Sequence, residues 1–100
     1  MKTSNALEII DRTFGHIPGW KEGVAEERTK ILAARAIYDA REAAGLTQKE
    51  LAKLVGTSQS AIARLEDADY DGHTLKMLNR IAAALNKKVD IRFIPADSAA

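Results

Sequence analysis

Residues 46–66 read LTQKELAKLVGTSQSAIARLE and carry the clearest local structural signals in the chain. Thr47 and Glu50 have the spacing of a capping box, in which the threonine accepts a backbone N–H of the first helical turn and the glutamate binds back to the threonine. Gly56 interrupts the helical pattern, and Ser58 can cap a second helix after it. The stretch therefore predicts two short helices, one on each side of Gly56.

Two short helices joined by about three residues around a glycine form a helix-turn-helix. The first helix is expected to end near Val55, and the second to span about residues 59–67. Ala52 is small enough for the second helix to cross closely over the first. The apolar residues expected to hold the pair together are Leu51, Val55, Ile62 and Leu65. When Ile62 and Leu65 face inward, the second helix turns Gln59, Ser60, Ala63 and Arg64 outward.

This motif resembles the phage-repressor (XRE, Cro-like) helix-turn-helix family. The resemblance covers about residues 37–85, which is half of the chain, and implies a mainly α fold of the five-helix repressor type. In that family the second motif helix enters the major groove of DNA. The residues that carry the match are Arg41 and those at 45–52, 55–66 and 75–85.

The resemblance implies that the outward face of the second helix reads DNA bases. Arg64 can bind O6 and N7 of guanine, Gln59 can pair with N6 and N7 of adenine, and Ala63 can lie against a thymine methyl group. Helix N-termini favour phosphate, so residues there are expected to contact the DNA backbone. The full predicted DNA-binding set is Thr47, Gln48, Ser58, Gln59, Ser60, Ala63, Arg64, His73 and Thr74.

Several of these polar residues also have an ordinary structural interpretation. Arg41 and Glu66 resemble a structural ion pair that ties the first helix of the family domain to the second motif helix. The capping box fully accounts for Thr47 and Glu50, and Gln59 and Ser60 could be solvated surface residues. These alternatives stay open at the level of sequence.

The flanking segments predict three further helices. One is capped by Ser4 and ends at the break between Gly15 and Gly19, one spans about residues 21–44, and one spans about residues 74–85. Their expected core-facing residues are Leu7, Ile10 and Phe14 in the first, Ile31, Ala34, Ile37, Tyr38, Arg41 and Ala44 in the next, and Leu75, Leu78, Ile81, Ala82 and Leu85 in the last.

After these helices the hydrophobic period changes. Residues 88–93, KVDIRF, alternate polar and apolar, and Pro95 closes the run, which predicts one β-strand with Val89, Ile91 and Phe93 on its buried face. A lone strand leaves its backbone groups unpaired. We therefore expect it to pair with a second copy in a homodimer or with the sheet edge of another protein. The alternative is a strand against its own helices with a solvated edge.

The layout of a long N-terminal extension, a helix-turn-helix and a terminal strand is similar to that of HigA-type antitoxins. This resemblance implies a repressor of its own operon that also neutralises a RelE- or HigB-like ribonuclease toxin. The predicted segments are an N-terminal extension at 1–29, the helix-turn-helix domain at 30–87, the dimerisation strand at 88–95 and a tail at 96–100. The predicted toxin-binding residues are Ile9, Ile10, Phe14, Ile17 and Trp20.

Two other functions remain open. The protein could be a stand-alone transcriptional regulator without a toxin, or an interaction module that no longer binds DNA. The net charge of +1, from 15 basic and 14 acidic residues, does not by itself indicate nucleic acid. A dimer would compensate for this low net charge, because two copies on a palindromic operator multiply a modest affinity.

Composition limits the remaining possibilities. One hundred residues suffice for one domain, and 46% apolar with 29% charged residues is a globular composition. The absence of cysteine excludes disulfides and thiolate metal sites. No catalytic constellation, metal-ligand spacing or phosphate-binding glycine loop is found, so we predict no enzyme, no cofactor and no metal. Without an apolar run of membrane-spanning length, we expect a cytoplasmic bacterial protein that joins the nucleoid when bound to DNA.

Overall fold

The computed structural model describes Thr13 and residues 17–96, with the backbone alone given at Trp20 and Lys21. This part of the chain is helical, which confirms the predicted mainly α class. The helices are α1 (Trp20–Ala43), α2 (Gln48–Val55), α3 (Gln59–Leu65) and α4 (Leu75–Ala84). Apart from Thr13, the predicted first helix between Ser4 and Phe14 lies outside the described residues.

Three of these helices begin at a side-chain cap. Thr47, Ser58 and Thr74 precede α2, α3 and α4, each with an extended backbone. The side-chain oxygen of each accepts a backbone N–H from the first turn, which satisfies a donor that the helix itself leaves unpaired. These caps fix where each helix begins.

The chain divides into two compact units, each considered by itself. One is Arg28–Asp90, and the described parts of the other are Thr13 and residues 17–27 and 91–96. The core lies in Arg28–Asp90, where Leu51 and Ile62 are fully buried. The buried core residues are Ile37, Leu51, Ala52, Val55, Ile62, Leu65 and Ile81, with Ala34 also buried on α1. The packing therefore joins the end of α1 to both motif helices and α4.

The core-facing stripes are narrower than the sequence predicts. Ala34, Ile37 and Arg41 of α1 are buried, whereas Ile31 and Tyr38 are exposed. Ala44 is exposed as well, because it follows the last turn of α1. On α4, Leu75 is 60% exposed, and the contact with the core begins with Met77 and Leu78. The prediction was wrong at Ile31, Tyr38, Ala44 and Leu75, because apolar spacing does not show where a helix runs past its neighbours.

The strand predicted at residues 88–95 is not observed. Those residues belong to no ladder in the single chain, and no other segment of residues 17–96 is a strand that could pair with them. Of its predicted buried face, Val89 is half-buried, while Ile91 is 61% exposed and Phe93 is completely exposed. An alternating pattern is compatible with a β-strand, but a stable strand also needs a second strand to pair with. Across residues 17–96, no helix is long and apolar enough to cross a membrane.

Candidate nucleic-acid interface

The start of α2 is a complete capping box. The backbone N–H of Glu50 donates to Thr47 Oγ1 at 3.0 Å, and the backbone N–H of Thr47 donates to Glu50 Oε1 at 2.9 Å. These two bonds lower the pKa of the Glu50 carboxyl, chiefly through the Thr47 backbone N–H. A fixed helix N-terminus with its partial positive charge is a favourable place for a phosphate group.

The turn after α2 is held by a contact from α4. Gly56 adopts φ +83°, a left-handed conformation that ends α2, and its N–H donates to the carbonyl of Ala52. Arg80 Nη2 donates to the carbonyl oxygen of Val55 at 2.8 Å. A cation at a helix C-terminus also interacts favourably with the helix dipole. The backbone conformation of Gly56 and the contact from Arg80 together fix the direction in which the chain enters α3.

The N-terminus of α3 carries a pair of serines. Ser58 Oγ accepts the backbone N–H of Ala61 at 3.1 Å, and it lies 3.1 Å from Ser60 Oγ. Both hydroxyl groups are exposed. They can therefore exchange their mutual hydrogen bond for one to an incoming acceptor.

Four side chains of α3 form one exposed face. Ile62 and Leu65 are buried on the opposite side, which fixes the rotation of the helix. No hydrogen bond joins the side chain of Gln59 or Arg64 to the described part of the chain. The exposed face consists of Gln59, Ser60, Ala63 and Arg64. It combines bidentate donors and acceptors with a small apolar residue, the groups that read base edges in the major groove.

A buried ion pair lies behind this face. Arg41 Nε donates to Glu66 Oε2 at 2.7 Å, and Arg41 Nη2 donates to Glu66 Oε1 at 3.0 Å. The side chains are only 8% and 5% exposed. Arg41 Nη1 also donates to the carbonyl of Leu46 at 2.8 Å and to Glu42 Oε2 at 3.1 Å. The hydrogen bonds to Glu66 raise the pKa of Arg41 further, so the guanidinium stays charged.

Gln48 connects this ion pair to α2. Its Nε2 donates to Glu66 Oε1 at 3.1 Å. The first residue of α2 is thus linked to the residue that follows the last turn of α3. The predicted phosphate contact of Gln48 therefore comes from a side chain whose orientation is already set.

His73 and Thr74 have structural roles at the two ends of neighbouring helices. His73 Nε2 donates to the carbonyl oxygen of Leu65, the last residue of α3, at 2.7 Å. Its ring meets that of Tyr70 edge-on, with the centroids 5.6 Å apart. Thr74 Oγ1 accepts the backbone N–H of Met77 at 3.1 Å as the cap of α4. Both residues are engaged within the chain, and the exposed Thr74 hydroxyl can still donate its proton outward.

Three contacts in this region were not predicted from the sequence. Two are side chains that cap helix C-termini, and one is a side-chain hydrogen bond between α2 and the residue after α3. The contact of Arg80 with Val55 spans 25 residues, that of His73 with Leu65 spans 8, and that of Gln48 with Glu66 spans 18. No local pattern signals such pairs, because each depends on how separate elements pack. The signal that the sequence does offer is a cationic or imidazole side chain beyond the end of a helix, since such side chains can bind the last helical carbonyls.

The exposed charges around the motif are of both signs. The loop after α3 carries exposed Asp67, Asp69 and Asp71, which would oppose a polyanion, and Asp69 donates its backbone N–H to Asp67 Oδ1 at 2.9 Å. Among the residues that the structure describes, no group of three or more histidine or carboxylate side chains could hold a metal ion. The exposed cations near the motif are Lys49, Lys53, Arg64 and Arg80.

Comparisons with known proteins agree with this geometry. A family model described as "Helix-turn-helix" matches residues 37–91. The chain is also similar to a protein of Archaeoglobus fulgidus named "Uncharacterized HTH-type transcriptional regulator". The two are 37% identical over 67 residues, which is 67% of this chain and 86% of that protein. No solved structure matches the chain.

Proposed function

Because the chain belongs to the helix-turn-helix family, we propose that it is a transcriptional repressor that binds double-stranded DNA in a sequence-specific way. The observation that carries the proposal is the exposed face of α3. Gln59 and Arg64 there have the geometry to pair with adenine and guanine edges, and neither side chain is bonded within the described chain. α3 is accordingly the helix that enters the major groove.

Contacts to the DNA backbone are assigned to residues around the ends of the helices. Thr47 and Gln48 lie at the N-terminus of α2, and Ser58 lies at that of α3. Thr74 caps α4, and His73 precedes it. These residues position the protein on the duplex, whereas the outward residues of α3 select the sequence.

A homodimer on a palindromic operator completes the proposal. The exposure of Ile91 and Phe93, and that of Ile94 at 53%, supports a role for residues 88–95 in joining two copies. Two antiparallel copies of this segment would supply each other's missing ladder partner and cover these side chains. Residues 1–29 are the extension in this arrangement, 30–87 the DNA-binding domain and 96–100 the tail.

The DNA-binding proposal is tested by selection from random duplexes, followed by fluorescence anisotropy with the enriched sequence. We expect an enriched inverted repeat with half-sites about one helical turn apart, and saturable binding that weakens with salt. Analytical ultracentrifugation of the complex should give two protein chains per duplex. Failure to enrich any sequence above the random pool would overturn the proposal.

A second function is that of an antitoxin, which the exposed apolar residues along and before α1 favour. In the unit that includes residues 17–27, Ile17 and Val24 are 43% and 41% exposed. A surface of this kind can bind the apolar patch of a small partner. Together with Ile9, Ile10, Phe14 and Trp20, whose side chains lie outside the described part, Ile17 is assigned to binding a ribonuclease toxin.

The antitoxin role is tested by purifying the tagged protein from its native host and identifying what co-purifies after nuclease treatment. A small ribonuclease-like protein in stoichiometric amount is the expected result. Recovery of the protein alone would overturn the antitoxin role and leave a stand-alone regulator. The two functions separate in this way because the DNA-selection experiment needs no partner.

A further inference from the structure

Glu66 binds side chains from two different helices at once. Its Oε2 accepts Arg41 Nε, while its Oε1 accepts both Arg41 Nη2 and Gln48 Nε2, at 2.7, 3.0 and 3.1 Å. The Glu66 side chain is only 5% exposed. Three donors therefore fix its position and direction, and it cannot turn toward solvent without losing them.

The bond from Glu66 fixes the orientation of the Gln48 amide. A glutamine amide is planar and has two N–H donors. One N–H of Gln48 is occupied by Glu66, so the plane of the amide and the direction of the second N–H are set together. Gln48 is half-buried and is the first residue of α2, where its second N–H can be offered outward.

Arg41 makes this arrangement compatible with a phosphate. A lone carboxylate so close to the amide would repel a phosphate group that approached Gln48. Arg41 neutralises Glu66 through two hydrogen bonds and is itself held by the carbonyl of Leu46. The ion pair thus presents a polarised but neutral acceptor to Gln48.

We infer that Glu66 is a positioning residue for DNA binding: it holds the Gln48 amide so that the second N–H donates to a phosphate oxygen at the N-terminus of α2. The inference rests on the proposed DNA-binding function. It gives the buried ion pair a second role besides stability, which is to orient the Gln48 amide for a contact with the DNA phosphate backbone before DNA binds. Such preorganisation reduces the entropy that the side chain loses on binding.

The test is a double-mutant cycle on a duplex that the wild-type protein enriches from random DNA. The proteins are wild type, Gln48→Ala, the paired variant Arg41→Met with Glu66→Leu, and the triple variant. Replacing a buried ion pair by apolar residues of similar volume often preserves folding, which thermal melts would check. Asn79→Ala on the exposed side of α4 is the control for loss of an amide elsewhere.

We expect Gln48→Ala to weaken binding about tenfold in the wild-type background, the size of one hydrogen bond to a charged group. In the paired variant the same change should cost less than about twofold, because the amide is no longer held. An equal loss in both backgrounds would overturn the inference. If the wild-type protein enriches no duplex, the proposed function fails instead, so the two failures are distinguishable.

A second measurement needs no variant that perturbs the core. The two side-chain amide protons of Gln48 give separate nuclear magnetic resonance signals in the wild-type protein. On adding the duplex, the proton bonded to Glu66 should keep its chemical shift, and the other should move downfield as it binds phosphate. Movement of both protons, or of neither, would contradict the positioning role.

Discussion

The imidazole Nε2 of His73 lies 2.7 Å from the carbonyl oxygen of Leu65, where it caps the C-terminus of α3. A carbonyl oxygen accepts only, so Nε2 carries the proton in this contact. The last carbonyls of a helix have no partner within the helix. His73 therefore fixes both the end of α3 and the loop that leads from it to α4.

Replacing His73 with alanine should lower the free energy of unfolding by about 1 kcal/mol, the typical net value of one hydrogen bond. Urea denaturation measures this change. The control is Lys76→Ala, since Lys76 is an exposed residue of α4 and should change stability little. Equal stability of His73→Ala and Lys76→Ala would show that the contact with Leu65 contributes nothing.

Breaking the buried pair of Arg41 and Glu66 should be the most damaging polar change in the helix-turn-helix. Arg41→Ala leaves the Glu66 carboxylate buried and unpaired, with an expected loss of about 3–5 kcal/mol in unfolding free energy. Chemical denaturation followed by circular dichroism measures it.

The exposed pair of Arg35 and Asp39 is the matched control for that variant. Arg35 Nε and Asp39 Oδ1 are 2.9 Å apart, a distance similar to those between Arg41 and Glu66, but the side chains are 68% and 56% exposed. Arg35→Ala should cost less than about 1 kcal/mol, because water and salt screen the pair. Similar losses for Arg41→Ala and Arg35→Ala would contradict the argument from burial.

The capping box should make part of the stability depend on pH. The pKa of Glu50 is lowered by the Thr47 backbone N–H, so the folded state favours the carboxylate. Its contribution is therefore present above the ordinary carboxyl pKa of 4.5 and is lost as the pH falls through the lowered folded pKa. Melting temperature against pH, between neutral and about pH 3, should fall less steeply for Glu50→Gln than for the wild type. Parallel curves would mean that Glu50 does not contribute.

Replacing Gly56 and Gly23 with alanine should change the free energy of unfolding in opposite directions. Gly56 has φ +83°, and an added Cβ would meet only Arg80 Nη2 at 3.5 Å, so Gly56→Ala should destabilise by about 1–2 kcal/mol through backbone strain alone. Gly23 lies inside α1 with nothing within 4 Å of an added Cβ. Gly23→Ala should stabilise by about 0.5–1 kcal/mol. Thermal unfolding of the two variants compares them directly, and a loss in both would refute the backbone explanation.

Whether a feature could be predicted from this sequence depends on how far apart along the chain the interacting residues lie. The capping box of Thr47 and Glu50 and the end of α2 at Gly56 are local, and the structure has these features at the same positions. α3 ends at Leu65, two residues before the sequence suggested, because no residue pattern marks that end. The contact that does hold it comes from His73, beyond the reach of local reasoning.

Periodicity likewise showed which side of a helix is apolar but not how far the contact extends. Ile62 and Leu65 face the core, as their spacing indicates, whereas Leu75 and Ile31 have the right spacing but are 60% and 48% exposed. Residues 88–95 show most clearly that a hydrophobic pattern does not identify its contact partner. Their alternation is real, but pairing is a property of two segments, and residues 17–96 contain only one.

Arg64 should determine preference at one base pair, whereas Lys49 should contribute to affinity for every sequence. Both are exposed, but Arg64 lies on the outward face of α3 and Lys49 near the N-terminus of α2. Arg64→Ala should lose about 1–3 kcal/mol of discrimination at one position of the selected duplex. Lys49→Ala should weaken all duplexes alike and reduce the salt slope by about one. Anisotropy titrations with single-base variants at several salt concentrations separate these effects. A uniform loss for Arg64→Ala would place it on the phosphate backbone instead.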